Sequence, residues 1–286
     1  MNGTSVLTIV RGRSEQLRNL AAGVAAQTVP PLELVVVGMG EAVPGDLPCG
    51  AVPLRRFRVD GDPMPLAAAR NLAAREARGD RLVFLDADCI AAPQTTAVYA
   101  RNLDAMGGCL MGEVRYLPLV PRRPFDIEAL ARLGQRHPAK PDPPPEPCVE
   151  PDYGQLWGLS FALGRADWDL AGGMDEAYVG YGGEETDFAR RLERVGIPLY
   201  RIPGALALHQ YHEVAVPPLG QFDHIVRNAR LYHHRWGHWC MDYWLDQFAE
   251  RGFVAWSPTS PDLTVLRFPS DAEITAARAR RGTLFT

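Results

Sequence analysis

The sequence predicts an α/β protein in which helices flank a mostly parallel central sheet, followed by a helical C-terminal extension. Two observations support this fold class. Near the N-terminus, strand-like runs at 5–10 and 34–37 enclose a segment, 15–27, whose apolar residues recur at helical spacing. Further along, the continuous apolar run 82–85 is typical of a strand covered on both faces. Such open sheets bind ligands at the carboxyl ends of their strands.

The other elements follow from periodicity and turn residues. Strands are predicted at 51–59 and 110–117, and helices at 66–78, 93–106, 125–133, 221–234 and 242–250. The proline-dense segment 136–151 predicts an extended surface loop, either a flap over the site or an inter-domain linker. Two short strands, 199–202 and 205–208, are predicted to pair around Pro203 and Gly204.

Composition sets further bounds. The chain has 286 residues, 47% hydrophobic and 22% charged, which is typical of a soluble globular domain with at most a small appendage. A formal charge of −4 without a long basic segment argues against a nucleic-acid partner. The five cysteines lack CxxC spacing, which argues against a disulfide framework or zinc cage. No long apolar run or signal-like start occurs, so we expect a cytoplasmic protein without a transmembrane segment.

Two carboxylates, Asp86 and Asp88, follow the buried strand and are separated by Ala87. If the strand continued through them, both side chains would point to one side and could face a hard divalent cation. The alternative is a turn that caps the helix starting near Pro93. Arg70, in the preceding helix, could bind phosphate oxygens through its planar guanidinium, or lie on a solvated helix face.

A second polar segment follows the glycines Gly182 and Gly183, which permit a tight turn. Glu184 and Glu185 then begin a helix, where the macrodipole favours acidic residues whatever their role. Their position after paired glycines and two tyrosines favours a substrate loop instead. His209, at a later strand end, is a sensible third ligand for a metal held by the earlier carboxylates, although a lone histidine is usually structural.

The C-terminal segment 233–244 is crowded with histidine and tryptophan. A histidine-rich metal site is one interpretation. The other is that the tryptophans cover an apolar face and that the imidazoles are incidental or face an acceptor.

Taken together, the motifs FLDADC with ARN upstream, LAGGMDEAYVGYGGEETDFARRL and ALHQYH resemble those of nucleotide-sugar-dependent glycosyltransferases of the GT-A fold. The resemblance is strongest to the large inverting family, family 2, that contains bacterial galactosyl- and N-acetylgalactosaminyltransferases. It covers residues 5–212. It implies a Rossmann-like GT-A domain over 1–212, with a donor half over about 1–118 and an acceptor half over about 119–212. The extension, 213–286, would pack on the same domain.

The resemblance also implies roles for individual residues. Asp88 and His209 match the metal ligands, with Asp86 and His212 beside them, and the expected ion is Mn²⁺ or Mg²⁺. Glu185 falls at the position of the general base and Glu184 at that of an acceptor-binding residue. The residues implied to contact the donor are Thr8, Val10, Arg11, Arg13, Arg70, Asp86, Ala87, Asp88, Trp157 and Gly183.

Two positions depart from the family pattern. Glu185 stands where the family usually has Asp, and Gly38 stands where an acidic residue after the second strand contacts uracil. The implied partners are a nucleotide-sugar donor, in the first place a UDP-sugar, and a glycan, peptide or small-molecule acceptor. The departures suggest an alternative, a catalytically silent sugar-nucleotide-binding or scaffold protein of the same fold. A nucleotidyltransferase would open with a glycine-rich loop ending in Lys, which this N-terminus lacks.

Overall fold

The computed structural model describes residues 3–119, 123–278 and 285. The strands are β1 (Thr4–Val10), β2 (Glu33–Met39), β3 (Leu54–Val59), β4 (Arg81–Leu85), β5 (Cys89–Ala91), β6 (Cys109–Tyr116), β7 (Gln135–Arg136), β8 (Cys148–Val149), β9 (Ser160–Gly164), β10 (Leu199–His209), β11 (Val254–Ala255) and β12 (Thr264–Val265). The helices are α1 (Ser14–Ala25), α2 (Leu66–Glu76), α3 (Thr95–Met106), α4 (Ile127–Leu133), α5 (Arg165–Ala171), α6 (Glu184–Arg194), α7 (Phe222–Trp236), α8 (Asp242–Glu250) and α9 (Asp271–Ala276).

One large sheet organises the fold, with the strand order β3-β2-β1-β4-β9-β6-β10-β5. Strands β1 to β4 run parallel to one another, and β6 runs parallel to β10. Strand β9 runs antiparallel to both of its neighbours and joins these two parallel groups. Helices cover both faces, with α1 and α3 on one and α2, α5 and α6 on the other. The predicted fold class is confirmed.

The strand pattern explains why the N-terminal strands are mostly apolar. In β1, Val6 and Val10 pack into the core on one face, whereas Leu7 and Ile9 pack into the core on the other. Because successive side chains of a strand alternate between faces, a strand covered on both faces carries apolar residues on both of them.

The prediction of two paired strands around Pro203 and Gly204 is wrong. The segment forms one strand, β10, and both of its ends pair in parallel with β6. The pairing register shifts between Arg201 and Leu206, so the Pro-Gly pair forms an irregularity within the strand and not a hairpin turn. Proline has no N–H to donate to a ladder, and Gly204 has a positive φ of 82°, which together explain the local break.

The segment 136–151 contains no helix and is mostly exposed, in keeping with the predicted surface loop, and strands β7 and β8 lie near its two ends and pair with β6 and β10. In the C-terminal extension, α8 is not the last helix. The β11–β12 pair and α9 follow it, and α9 begins with a capping box formed by Ser270 and Glu273. Residues 279–284 and 286, at the end of the predicted extension 213–286, lie outside the described residues. Among the helices described, none is both long and apolar enough to cross a membrane.

Candidate functional site

Strand pairing brings the carboxyl ends of β4 and β10 to the same edge of the sheet. Strand β4 is followed by a turn, in which the Cys89 N–H donates to the Asp86 carbonyl at 2.8 Å. Strand β5 begins at the end of this turn. Strand β5 pairs antiparallel with the end of β10, so Cys89 lies opposite His209. The Gln210 N–H then donates to the Asp88 carbonyl at 2.7 Å. This pairing sets His209 beside Asp88, although 121 positions separate them in the sequence.

Asp88, His209 and His212 form a candidate metal centre, with one potential ligand atom from each residue lying within 4.8 Å of the others. His209 Nε2 lies 3.5 Å from one oxygen of Asp88, and His212 Nε2 lies 3.8 Å from the other. Burial, helped by the nearby Arg13, lowers the pKa of each histidine to about 4. Both imidazoles are therefore neutral at neutral pH, as metal ligation requires.

Asp86 lies outside this group of three. The expectation of a continued strand is wrong, because the chain turns after β4, so Asp86 and Asp88 do not share one side of a strand. The helix-capping alternative is wrong as well, since the N-cap residue of α3 is Gln94. Asp86 instead accepts a hydrogen bond from Arg70 Nη2 at 3.0 Å.

Arg70 is only 4% exposed, so the solvated-helix alternative is wrong. Its guanidinium lies 3.0 Å from Asp86, 3.2 Å from Glu184 and 3.1 Å from Glu185. Burial alone would lower the pKa of Arg70, but these carboxylates, led by Glu185, raise it above its ordinary value. Arg70 is therefore a permanent positive charge at the centre of three carboxylates.

The two acidic residues at the start of α6 differ in accessibility. Glu184 is buried beside Arg70, and its second oxygen, Oε2, has no hydrogen-bond partner among the described residues. The Glu185 side chain is 20% exposed and is therefore the more accessible of the two. Burial, and then the charge of Glu184, raise the pKa of Glu185 well above its ordinary value. Glu185 can thus hold or release a proton at the surface of the cleft.

The C-terminal extension holds the loop that leads into α6. Asn228 of α7 is fully buried, and its Nδ2 donates to the carbonyls of Gly182 at 2.7 Å and Val179 at 3.1 Å. A Cβ at Gly182 would lie 2.6 Å from Met241 Sδ, so the extension packs directly against the loop backbone. Sequence reasoning missed Asn228, although a polar residue at a buried position of an apolar helix face was a usable signal.

The donor-contacting residues implied by the resemblance occupy different environments. Thr8 is 2% exposed, its Oγ1 lacks a hydrogen-bond partner within the described ranges, and it lines a narrow cleft with Arg70 and Asp86. Arg13 forms an ion pair with Asp88. The remaining members are the core residues Val10 and Ala87, the exposed Arg11 and the positive-φ Gly183.

The departure at Gly38 has a packing reason. A Cβ at this position would lie 2.2 Å from the carbonyl oxygen of Glu41, so a larger residue cannot fit there. Glu41 is the acidic residue that follows β2, and both of its carboxylate oxygens accept from the Gly12 N–H, at 3.0 and 2.9 Å. An acidic group thus lies at the β1–α1 loop, three positions after the expected one.

Trp157 lines a cavity of about 80 Å³ beneath the proline-dense segment. Its ring meets His137 edge-on at 4.8 Å, and the ammonium group of Lys140 lies 3.6 Å from the centre of the ring. The histidines of the C-terminal segment 233–244 do not join a metal-binding group within the described part of the chain. His233 stacks on the buried Trp239 at 4.0 Å, as the apolar-cover interpretation expects.

Comparison with solved structures shows the fold. The crystal structure of GalNAc-T7 with UDP, GalNAc and Mn²⁺ has a TM-score of 0.54 at 19% identity, and the match covers 74% of this chain and 44% of that one. Two structures of TarS from S. aureus match 88% of this chain at 15% identity. The TM-score is 0.55 for residues 1–349, of which 72% is covered, and 0.56 for the other chain, of which 44% is covered.

Sequence-family models match the two parts of the chain that carry the site. The model described as glycosyl transferase family 2 matches residues 60–116, and the model described as the N-terminal domain of galactosyltransferase matches residues 146–215. Both models describe glycosyltransferases, and together with the solved structures they show that the chain is similar to glycosyltransferases of the GT-A fold. The first match contains Arg70 and Asp88, and the second contains Glu185 and His209.

Two curated relatives of this chain are the validoxylamine A glucosyltransferases of Streptomyces hygroscopicus subsp. jinggangensis (strain 5008) and subsp. limoneus. Each is 32% identical over 154 aligned positions, which cover 47% of this chain. The same positions cover 36% and 34% of the relatives, so the match extends over about a third of their length.

Proposed function

We propose that this protein is a glycosyltransferase that moves a sugar from a UDP-sugar to an acceptor hydroxyl with inversion, in a reaction that depends on Mn²⁺. The observation that carries the proposal is the position of Arg70 between two acidic groups. The same Nη2 atom lies 3.0 Å from Asp86, beside the candidate metal centre, and 3.1 Å from Glu185, the candidate base. The Arg70 guanidinium thus links Asp86, on the side where the diphosphate would leave, to Glu185, on the side where the acceptor hydroxyl would attack.

The donor set of Asp88, His209 and His212 fits a divalent cation, because it offers one carboxylate and two neutral imidazoles within 4.8 Å. Two imidazoles among three ligands favour Mn²⁺ over Mg²⁺, which prefers oxygen ligands. The Mn²⁺ in the GalNAc-T7 structure supports the same choice. A bound ion would supply positive charge against the diphosphate leaving group.

Glu185 would take the proton of the acceptor hydroxyl. Its raised pKa suits this role, because a base works best when its pKa lies near the operating pH. Its carboxylate would act from the side opposite the leaving diphosphate. A direct displacement from that side inverts the anomeric centre. Arg70, held by three carboxylates, would keep Glu185 oriented toward the reacting atoms.

The donor would lie along the carboxyl end of β1. Thr8, whose hydroxyl has no hydrogen-bond partner among the described residues, lines the narrow cleft together with Asp86, and the guanidinium of Arg13 pairs with Asp88. Glu41, at the β1–α1 loop, would provide the acidic contact to the base that Gly38 cannot. The UDP in the GalNAc-T7 structure supports uridine as the nucleoside.

Ligand-dependent melting and donor hydrolysis test this proposal. UDP-, dTDP- and GDP-sugars are screened by thermal shift with MnCl₂ and with EDTA. A UDP-sugar should raise the melting temperature only with Mn²⁺, since a ligand that binds the native state alone stabilises it. The same UDP-sugar should release UDP slowly without acceptor. The Glu185→Gln variant is the matched control, because it should bind the donor but lose turnover.

Two results would contradict the proposal. Equal stabilisation with EDTA would remove the metal dependence. Donor binding without any UDP release, even with a broad acceptor panel, would favour the catalytically silent protein. The anomeric configuration of the product, measured by NMR, tests inversion separately.

A further inference from the structure

The cavity beneath the proline-dense segment lies between the candidate metal centre and the candidate base. We call it the flap cavity; its lining includes Glu113, Tyr116, Lys140, Trp157, Gly158 and Ser160. On one side, the Tyr116 ring contacts the His209 ring at 4.6 Å. On the other side, a Cβ at Gly158 would lie 2.5 Å from Glu185 Oε1, so the cavity wall touches the carboxylate of the base. A group bound here would belong to a substrate that reacts between the two.

Lys140 is the only lysine in the sequence, although lysine and arginine together number 30. Its ammonium group lies over the Trp157 ring at 3.6 Å and donates to the Gln155 carbonyl. Within the described ranges, Lys140 has no carboxylate within 4.0 Å, whereas the other two cations of the lining are paired, Arg136 with Asp142 and Arg201 with Glu150. The flap cavity thus contains one cation that lacks an acidic partner.

Burial also changes the pKa of Lys140. Burial lowers the pKa of Lys140 to about 7, and the more distant Glu150 and Asp152 compensate only in part. A negative group within hydrogen-bond distance would favour the charged form of the amine and raise its pKa again. The geometry and the charge balance therefore indicate the same ligand chemistry.

The flap cavity has room for an anionic group. Its volume is about 80 Å³, several times the roughly 10–15 Å³ that one water requires. A carboxylate or a phosphate carried by a sugar can therefore enter it and reach the amine of Lys140.

We propose that the flap cavity binds an anionic group, a carboxylate or a phosphate, carried by one of the two sugar substrates, and that Lys140 pairs with it. This inference rests on the proposed function, because it concerns the substrates of the same site. It predicts a glycosyltransferase that selects a charged sugar, such as a hexuronic acid or a sugar phosphate, over its neutral counterpart.

The single lysine allows a direct binding test. Reductive methylation with ¹³C-formaldehyde labels Lys140 and the α-amino group. The ¹³C signal of the lysine is titrated with pH in the presence of Mg²⁺, which avoids paramagnetic broadening, at a Mg²⁺ concentration at which thermal shift shows that the donors bind. Four probes are compared: UDP-glucuronic acid against UDP-glucose, and 4-nitrophenyl β-glucuronide against 4-nitrophenyl β-glucoside. The titration midpoint of Lys140 should rise with one charged probe and stay unchanged with its neutral partner.

Kinetics provide the second test. In Lys140→Met, the KM for the charged substrate should rise by about 10- to 100-fold, the usual effect of losing a hydrogen bond to a charged group. The KM for the neutral partner should not change. Arg132→Met is the matched control, because it removes a cation from an exposed position of α4 outside the cavity. The NMR titration uses the wild-type chain, so it stands even if Lys140→Met folds poorly.

The two pairs of probes identify which substrate carries the anionic group. A response to UDP-glucuronic acid assigns it to the donor, and a response to the glucuronide assigns it to the acceptor. An unchanged Lys140 titration with both charged probes, or equal KM changes for charged and neutral substrates, would overturn the inference. If neutral donors still release UDP in that case, the proposed glycosyltransferase function stands and only the anion site at Lys140 is excluded. If Lys140 responds to a charged probe but no donor releases UDP, the anion site stands and the proposed function is excluded.

Discussion

The two charged clusters of the site, one around Asp88 and one around Arg70, differ in their balance of positive and negative charge. Around Asp88, one carboxylate faces one guanidinium, that of Arg13, and two imidazoles that are neutral at neutral pH. Around Arg70, one guanidinium faces three carboxylates. The first cluster is balanced in charge and offers free lone pairs. The second has an excess of negative charge, which adds to the effect of burial in raising the pKa of Glu185.

This difference shows how identical side-chain types acquire different chemistry. A carboxylate beside neutral nitrogen donors is suited to hold a metal ion. A carboxylate crowded by other carboxylates tends to hold a proton. The comparison therefore predicts that the two clusters respond differently to removal of charge.

The largest effect is expected for Asp88→Ala, which removes the only carboxylate of the candidate metal centre. Donor binding that depends on Mn²⁺ should be lost, while the metal-free protein should still fold, because Arg13, the ion-pair partner that is left behind, is 36% exposed and can be solvated. Isothermal calorimetry with and without Mn²⁺ measures this. Asp86→Ala is the matched control and should retain more of the metal affinity. Unchanged donor affinity in folded Asp88→Ala would exclude this metal centre.

Glu185→Gln tests the second cluster and keeps its size and packing. Loss of a general base costs about 10²- to 10⁴-fold in rate, so kcat should fall by that range while the donor Kd hardly changes. Steady-state kinetics and donor titration separate the two quantities. Normal turnover in the variant would contradict the role of Glu185 as base.

Arg70→Met should destabilise the fold, because it leaves three carboxylates without their common cation. Breaking a buried ion pair from one side costs about 3–5 kcal/mol. The free energy of unfolding, measured in urea, should fall by an amount in this range. The loss should shrink as the pH is lowered, since protonation neutralises the carboxylates. Arg70→Lys should recover part of the stability but still weaken donor binding, because lysine lacks the planar fork.

Asn228→Ala tests whether the C-terminal extension positions the base. The variant removes the donors to the Gly182 and Val179 carbonyls, which should lower stability by about 1–3 kcal/mol. Because the loop leads into α6, kcat should fall as well, with the donor Kd unchanged. Asn102→Ala is the control, since Asn102 is buried but bonds within its own helix, to Val98. An equal change of kcat in both variants would contradict a positioning role.

The smallest effect is expected for Glu184→Gln. Activity needs ionised Glu185, so the raised pKa of Glu185 sets the acidic limb of the pH profile. Removing the charge of Glu184, the second cause of that rise after burial, should lower the pKa and move the limb to lower pH. The acceptor KM should increase modestly. An acidic limb that stays in place or moves to higher pH would show that Glu184 does not act on Glu185.

The sequence alone determined the local elements of the fold. A β-rich run predicted β1, continuous apolar runs predicted β2 and β4, and helical spacing predicted α1 and α2, because these patterns depend on which side chains are buried. The motifs also identified Asp88, His209 and Glu185 as candidates. The motifs alone could not decide which of the two carboxylates, Asp86 or Asp88, lies beside the histidines.

Only the tertiary structure decided the grouping of these residues. The turn after β4 separates Asp86 from Asp88, and Arg70 reaches Glu184 across 114 positions of sequence. The same holds for Lys140, whose surroundings come from segments that no local pattern connects. The physical reason is that periodicity reports the burial of a residue within its own element, whereas charge balance and pKa depend on neighbours that strand pairing brings together from distant parts of the chain.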